Sequence, residues 1–234
     1  MASTSEVTFG SRLANAETLA THLQSFIDYV AQTPDQSVTN VQAVIANIKI
    51  HNTTTAGNKQ DYSAAVDNRQ KLFQKDKDSL IKLLSPIGSA VRAAFGKTSK
   101  EAANIAALIK KIRGIKVKNE PKDPTAETVS QSERSFGSIT LTFADIIATV
   151  EKFGNNYNPA NEKVKLPALT DKLAQLTTAN TNVPLTYGKL KQARDLRIDI
   201  YKNLTDITQR IKDAVKSQYT LNSTEYALIK GLKI

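Results

Sequence analysis

The stretch NTNVPLTYGKLKQAR, Asn180 to Arg194, has an echo in TAGNKQDYSAAVDNR, Thr55 to Arg69. Each puts a tyrosine seven residues ahead of an arginine, and the two are offset by 125. Working outward from Tyr62/Tyr187 and Arg69/Arg194, the same offset lays Pro34 on Pro159, Val41 on Leu166, Val44 on Leu169 and Ile48 on Leu173. One residue is then lost in the second half. At 124, Leu80 falls on Leu204, Leu83 on Ile207, Ile87 on Ile211, Val91 on Val215 and Phe95 on Tyr219. Upstream, SFIDYVA (Ser25 to Ala31) matches TFADIIA (Thr142 to Ala148) at 117. A self-match of about a hundred residues predicts a duplicated domain rather than a solenoid.

Each copy reads as helices. Leu19, Leu23, Phe26, Ile27 and Val30 recur at helical spacing, as do Phe143, Ile146, Ile147, Val150 and Phe153. A longer seam alternates steps of three and four through Leu166, Leu169, Leu173, Leu176, Asn180, Val183, Tyr187, Leu190 and Arg194. That is a heptad pattern, and it continues into Leu204–Tyr219, which predicts a helix of roughly 55 residues in each copy. The seam turns polar at TTTAGN and TANTNVP, where Gly57 and Pro184 weaken it, so a kinked but continuous helix is expected. TSKE (Thr98 to Glu101) and NSTE (Asn222 to Glu225) read as capping boxes opening a short last helix. KVKNEPKDPTAETVSQSER reads as a linker. The expected fold is all-α: an elongated helical bundle of two tandem copies with long coiled-coil-like helices. The copies run over 1–113 and 135–234 around a linker at 114–134, packed as one bundle.

YGKLKQARDLRIDIY and the ending LNSTEYALIKGLKI resemble uncharacterised, duplicated helical proteins of Bacteroidota. The likeness covers mainly residues 165–234, and the first copy departs from it where alanine follows Glu101. The resemblance implies the duplicated helical fold and no activity.

Composition agrees with helices. Among 234 residues there are 9 glycines, 7 prolines and no tryptophan. With no cysteine, the chain has no disulfide, thiol nucleophile or thiolate metal site. MASTSEVTFG lacks a basic n-region and apolar h-region, and no window is apolar enough to span a membrane. Cytoplasm is the expected compartment, with signal-less export as the other route. The net charge of +10 is uneven: residues 1–68 carry −3, residues 69–118 carry +10 and the remainder +3.

No catalytic constellation emerges. GKT (Gly96 to Thr98) lacks the upstream glycine of a phosphate loop. His22 and His51 have no companion at metal-ligand spacing. Asp195, Asp199 and Asp206 interleave with Arg194, Arg197, Lys202 and Arg210, as a solvated ion-pair face does. Tyr62, Arg69, Tyr187 and Arg194 form the most specific pattern: if the long helices pair, two guanidiniums could converge on an anion or an acidic partner. Alternatively, they bury their apolar bodies and keep their polar ends wet. Lys97, Lys100, Lys110, Lys111, Arg113, Lys116 and Lys118 make a candidate basic patch within the block 69–118. The expected function is a non-enzymatic structural or scaffold protein that binds a protein partner or itself, without cofactors. Nucleic-acid binding through the basic block and toxin-like action on membranes through IAALIKKIRGIKVK are the alternatives.

Overall fold

The computed structural model describes residues 8–114 and 135–234. These form α1 (Phe9–Ser25), α2 (Val38–Gln70), α3 (Leu80–Phe95), α4 (Lys100–Arg113), α5 (Phe136–Glu151), α6 (Leu166–Tyr219) and α7 (Thr224–Ile229). Among the described residues there is no strand. The expected linker lies almost wholly outside them.

The polar middle of the seam does not interrupt either long helix. Buried Thr55 in α2 donates its hydroxyl to the carbonyls of His51 (2.8 Å) and Ala193 (3.2 Å), and Asn58 donates its amide to the Lys189 carbonyl (3.3 Å). Those bonds satisfy side chains that would otherwise compete with helical backbone. α6 runs unbroken for 54 residues through Pro184, although an interior proline removes a backbone bond.

The interruption in the first half comes later than Gly57. α2 passes into a π-helical turn, Lys71–Lys75, and the chain turns before α3 begins. The Asp76 N–H caps the π turn on the Lys71 carbonyl (3.1 Å), and fully buried Ser79 donates its hydroxyl to the Gln74 carbonyl (3.1 Å).

The described residues fall into two compact units. The first comprises residues 8–61 and 187–234, the second residues 62–114 and 135–186. In the first, Leu19 and Leu23 of α1 pack with Val41 and Ile48 of α2, Leu204 and Ile211 of α6, and Ile229 of α7. In the second, Phe143 and Ile146 of α5 pack with Leu169 and Leu176 of α6, Leu84 and Ile87 of α3, and Ile105 and Ile109 of α4. The units therefore cut across the expected boundaries 1–113 and 135–234. Each takes its first helix and the start of a long helix from one half of the chain, and its remaining helices from the other.

Equivalent contacts give the register between the halves. Thr8 caps α1 on the Ser11 N–H and Ser135 caps α5 on the Ser138 N–H, an offset of 127. The Tyr29 hydroxyl donates to the Gln36 carbonyl (3.1 Å) and that of Tyr157 to the Val164 carbonyl (2.8 Å), an offset of 128. Gly96 and Thr220 both take positive φ after their helices, +89° and +75°, at the expected 124. The sequence match at 125 was thus three residues out along the long helices, and the match at 117 ten residues out in α1. The first half carries four extra residues, not one, between Phe73 and Leu80. They fall in the π turn and the non-helical turn that follows it, so α3 starts as a separate helix with its apolar stripe in the core.

Gly57 is in an exposed helix interior where an added Cβ meets nothing within 4 Å. Gly57→Ala is expected to stabilise the protein by about 0.5–1 kcal/mol in urea unfolding. Thr220, β-branched at positive φ, holds strain that glycine would release, so Thr220→Gly is expected to gain about 1 kcal/mol. Burial pushes the Tyr29 and Tyr157 phenols up to about 12, with Tyr219 adding to the effect at Tyr29. Their contribution to stability is full below the unfolded value near 10 and is lost as pH rises towards 12. Phenolate absorbance and helical circular dichroism, followed together, should show Tyr29 and Tyr157 ionising late as helix is lost in that window, with Tyr219 also raised.

Candidate functional site

One polar-aromatic cluster occurs once in each unit. In the second unit the Arg69 guanidinium lies 4.3 Å above the Phe136 ring, whose edge meets Phe73 at 4.8 Å. Asn180 donates its amide to the Phe136 carbonyl (3.3 Å) and to Thr140 Oγ1 (3.0 Å). In the first unit the Arg197 guanidinium lies 4.2 Å above Phe9, which packs on Tyr201 at 4.7 Å. Asn52 donates to the Tyr201 hydroxyl (2.9 Å), which donates to the Phe9 carbonyl (2.7 Å). Cation–π stacking and a carboxamide thus pin the first turn of α1 and of α5 to the long helices. A structural clamp accounts for all of these contacts.

The counterpart of Arg69 in this geometry is Arg197, not Arg194. Arg194 lies exposed on α6, Tyr187 is about half-exposed and Tyr62 is partly buried. Arg69 is committed to Phe136, so the expected convergence of Arg69 and Arg194 on one anion is replaced by two clamps. FGS, repeated at Phe9–Ser11 and Phe136–Ser138, is the sequence signal that marks them.

Lys97, Lys100, Lys110, Lys111 and Arg113 are exposed, the last three in the final turn of α4, where cations suit the helix dipole. Lys116 and Lys118 lie outside the described residues. Ile105, Ile109 and Ile112 are buried in the core, so the apolar stripe proposed for membranes is already covered. The capping boxes shift by one residue. Ser99, not Thr98, accepts from the Ala102 N–H, and Ser223, not Asn222, accepts from Tyr226 (3.1 Å each). Of the expected ion-pair face, Arg210 joins Asp206 (3.0 Å) and Asp35. Arg210 and Thr33 hold the Asp35 carboxyl below its ordinary range, Thr33 contributing most. Among the described residues no three His, Asp or Glu side chains converge as metal ligands. No helix among them is long and apolar enough to cross a membrane.

The two units differ most at the turn that follows the first helix. In the first unit Ile27, Val30 and Leu221 are 80%, 67% and 58% exposed. Ile27 and Val30 are held there firmly. The Tyr219 hydroxyl donates to the Ile27 carbonyl (2.5 Å), while the Gln218 carboxamide accepts from the Val30 N–H (3.1 Å) and donates to its carbonyl. In the second unit Asn158 and Lys97 stand in place of Val30 and Leu221. The positive-φ residue Asp28 corresponds to Gly154, which directly follows Phe153, the partner of Phe95 as Phe26 is of Tyr219, so Ile27 has no counterpart there. Beside Asn158 an open groove of about 640 Å³ runs between α3 and the loop 156–161.

If the guanidiniums serve as clamps, Arg69→Ala and Arg197→Ala should each cost about 1–2 kcal/mol in urea unfolding. Arg194→Ala should stay within about 0.5 kcal/mol of the parent. Three equal effects would contradict the assignment. No family model matches this chain, and no curated protein or solved structure is similar to it.

Proposed function

We propose that this is a non-enzymatic interaction protein that self-associates as part of a larger scaffold. The observation that carries it is the group Ile27, Val30 and Leu221. Large apolar side chains held exposed by side-chain-to-backbone hydrogen bonds are the signature of a contact surface. The fold does not demand them, because the second unit has no counterpart of Ile27 and holds asparagine and lysine in place of Val30 and Leu221. Arg69 and Arg197 stack on rings, Ser99 caps a helix and Asp206 pairs with Arg210, so these side chains have structural roles.

The repeated clamps, caps and tyrosine-to-carbonyl bonds support descent of both halves from one duplicated helical unit, in keeping with the resemblance to Bacteroidota helical proteins. Nucleic-acid binding has the exposed cations of α4 in its favour. It lacks aromatic rings on which bases could stack, since Phe73 is buried and Phe95 packs on Phe153 at 4.8 Å.

Three measurements on the full chain separate these functions: gel shift with duplex DNA at low and moderate salt, sedimentation with anionic vesicles, and sedimentation of the protein alone over a range of concentrations. Only the last is expected to change. A duplex shift that survives moderate salt, and is lost when Lys97, Lys100, Lys110, Lys111 and Arg113 are reversed to glutamate, would establish nucleic-acid binding instead.

A further inference from the structure

We infer that the exposed apolar prong of the first unit docks into the open groove of the second unit of another copy of this chain. The inference rests on the self-association proposed above and names the two surfaces that make it.

The argument begins with one substitution between equivalent positions. Gln218 of α6 corresponds to Ala94 of α3. In the first unit Gln218 reaches across to the loop and satisfies both main-chain groups of Val30. In the second unit Ala94 reaches nothing. The main-chain N–H and carbonyl of Asn158, the counterpart of Val30, make no hydrogen bond among the described residues. What Gln218 fills in one unit is therefore open in the other. Its walls are Pro86, Ala90, Ala93, Ala94, Asn158 and Pro159. Ser89, Asn156 and Asn161 add polar side chains to these alanines and prolines, and at about 640 Å³ the groove is large enough for two branched aliphatic side chains.

The prong is the matching shape. Ile27 and Val30 project from a turn whose backbone is fixed at both residues, so little conformational entropy is left to lose on docking. Charge selects the same pairing. Asp28, exposed beside Ile27, and Glu225 both lie close enough to the Tyr219 hydroxyl to raise its pKa behind the larger effect of burial, so the prong is flanked by carboxylates. Two lysines follow the groove wall closely in the chain: Lys97 lies three residues beyond the lining Ala94, and Lys152 precedes Phe153, which packs on Phe95 at 4.8 Å. Both lysines are exposed, and among the described residues neither joins an ion pair. The counterpart of Asp28 is Gly154, so the acidic and basic rims sit on different units. Unlike surfaces on one chain bring two copies together either reciprocally, in a closed dimer with two such contacts, or head to tail, in a ring or filament.

The second unit itself supplies fold-compatible variants. Ile27→Asp with Val30→Asp removes the prong at two exposed positions of a turn that the second unit builds without either side chain. Ala94→Gln fills the groove as Gln218 does. Each full-length variant should keep the parent's circular dichroism and urea midpoint, and each should self-associate about tenfold more weakly or worse in sedimentation velocity. Mixed in equal amounts, the two should form a 1:1 dimer and nothing larger, because one intact prong meets one intact groove. Persistent association of either variant, or a mixture that stays monomeric while wild type associates, would overturn the prong-and-groove contact but leave self-association through another surface. A wild type that is monomeric at all concentrations would overturn both. Vesicle binding by the prong without self-association would likewise overturn it, in favour of a lipid surface.

Discussion

Phe9 meets Tyr201 at 4.7 Å and Phe136 meets Phe73 at 4.8 Å, and neither contact can form within one half of the chain. Both join the first turn of a short helix to the far end of the other half's long helical stretch. The consequence is topological. α2 begins in one core and passes into the second unit, and α6 makes the opposite passage, so each core closes only with segments from both halves. Unbroken helices are what enforce this. A loop at Gly57 or Pro184 would let each half fold back on itself, whereas Thr55 and Asn58 bonding to α6 keep the polar middle helical.

That exchange was hidden in the sequence for a definable reason. Apolar periodicity reports which face of a helix is buried, not which helix buries it. The stripe through Val41, Ile48, Leu169 and Leu176 was legible, as were the all-helical class, the matched Leu80 and Leu204, and the short last helices. The register was not. Heptad steps of three and four look alike under a shift of three, so Tyr62/Tyr187 aligned persuasively while Arg69 and Arg197, the true equivalents, were passed over. The four extra residues before Leu80 absorbed the slip and returned the pattern to phase. Local chemistry would have fixed it: FGS occurs after a hydroxyl cap at both Thr8 and Ser135, and only that offset brings each phenylalanine under an arginine.

The candidate surfaces were still less visible. Ile27 and Val30 read as core because they fit the stripe of α1, yet the helix ends at Ser25 and Asp28 turns the chain at positive φ, which carries both to the exterior. Likewise Ala94 looks unremarkable until Gln218 is seen occupying the same place in the other unit. Where two equivalent positions share one structural task and differ in residue, the difference is free to serve contacts outside the fold. The clamps are the converse case, since their residues repeat with their geometry.

The exchange of helices between cores makes a direct demand on the intact molecule. With a protease site placed within residues 115–134 and cut, the two fragments should sediment together as one particle of full mass. They should part only under denaturant, because each core contains pieces of both. Two fragments that separate in native buffer, each retaining its helical circular dichroism, would contradict the account.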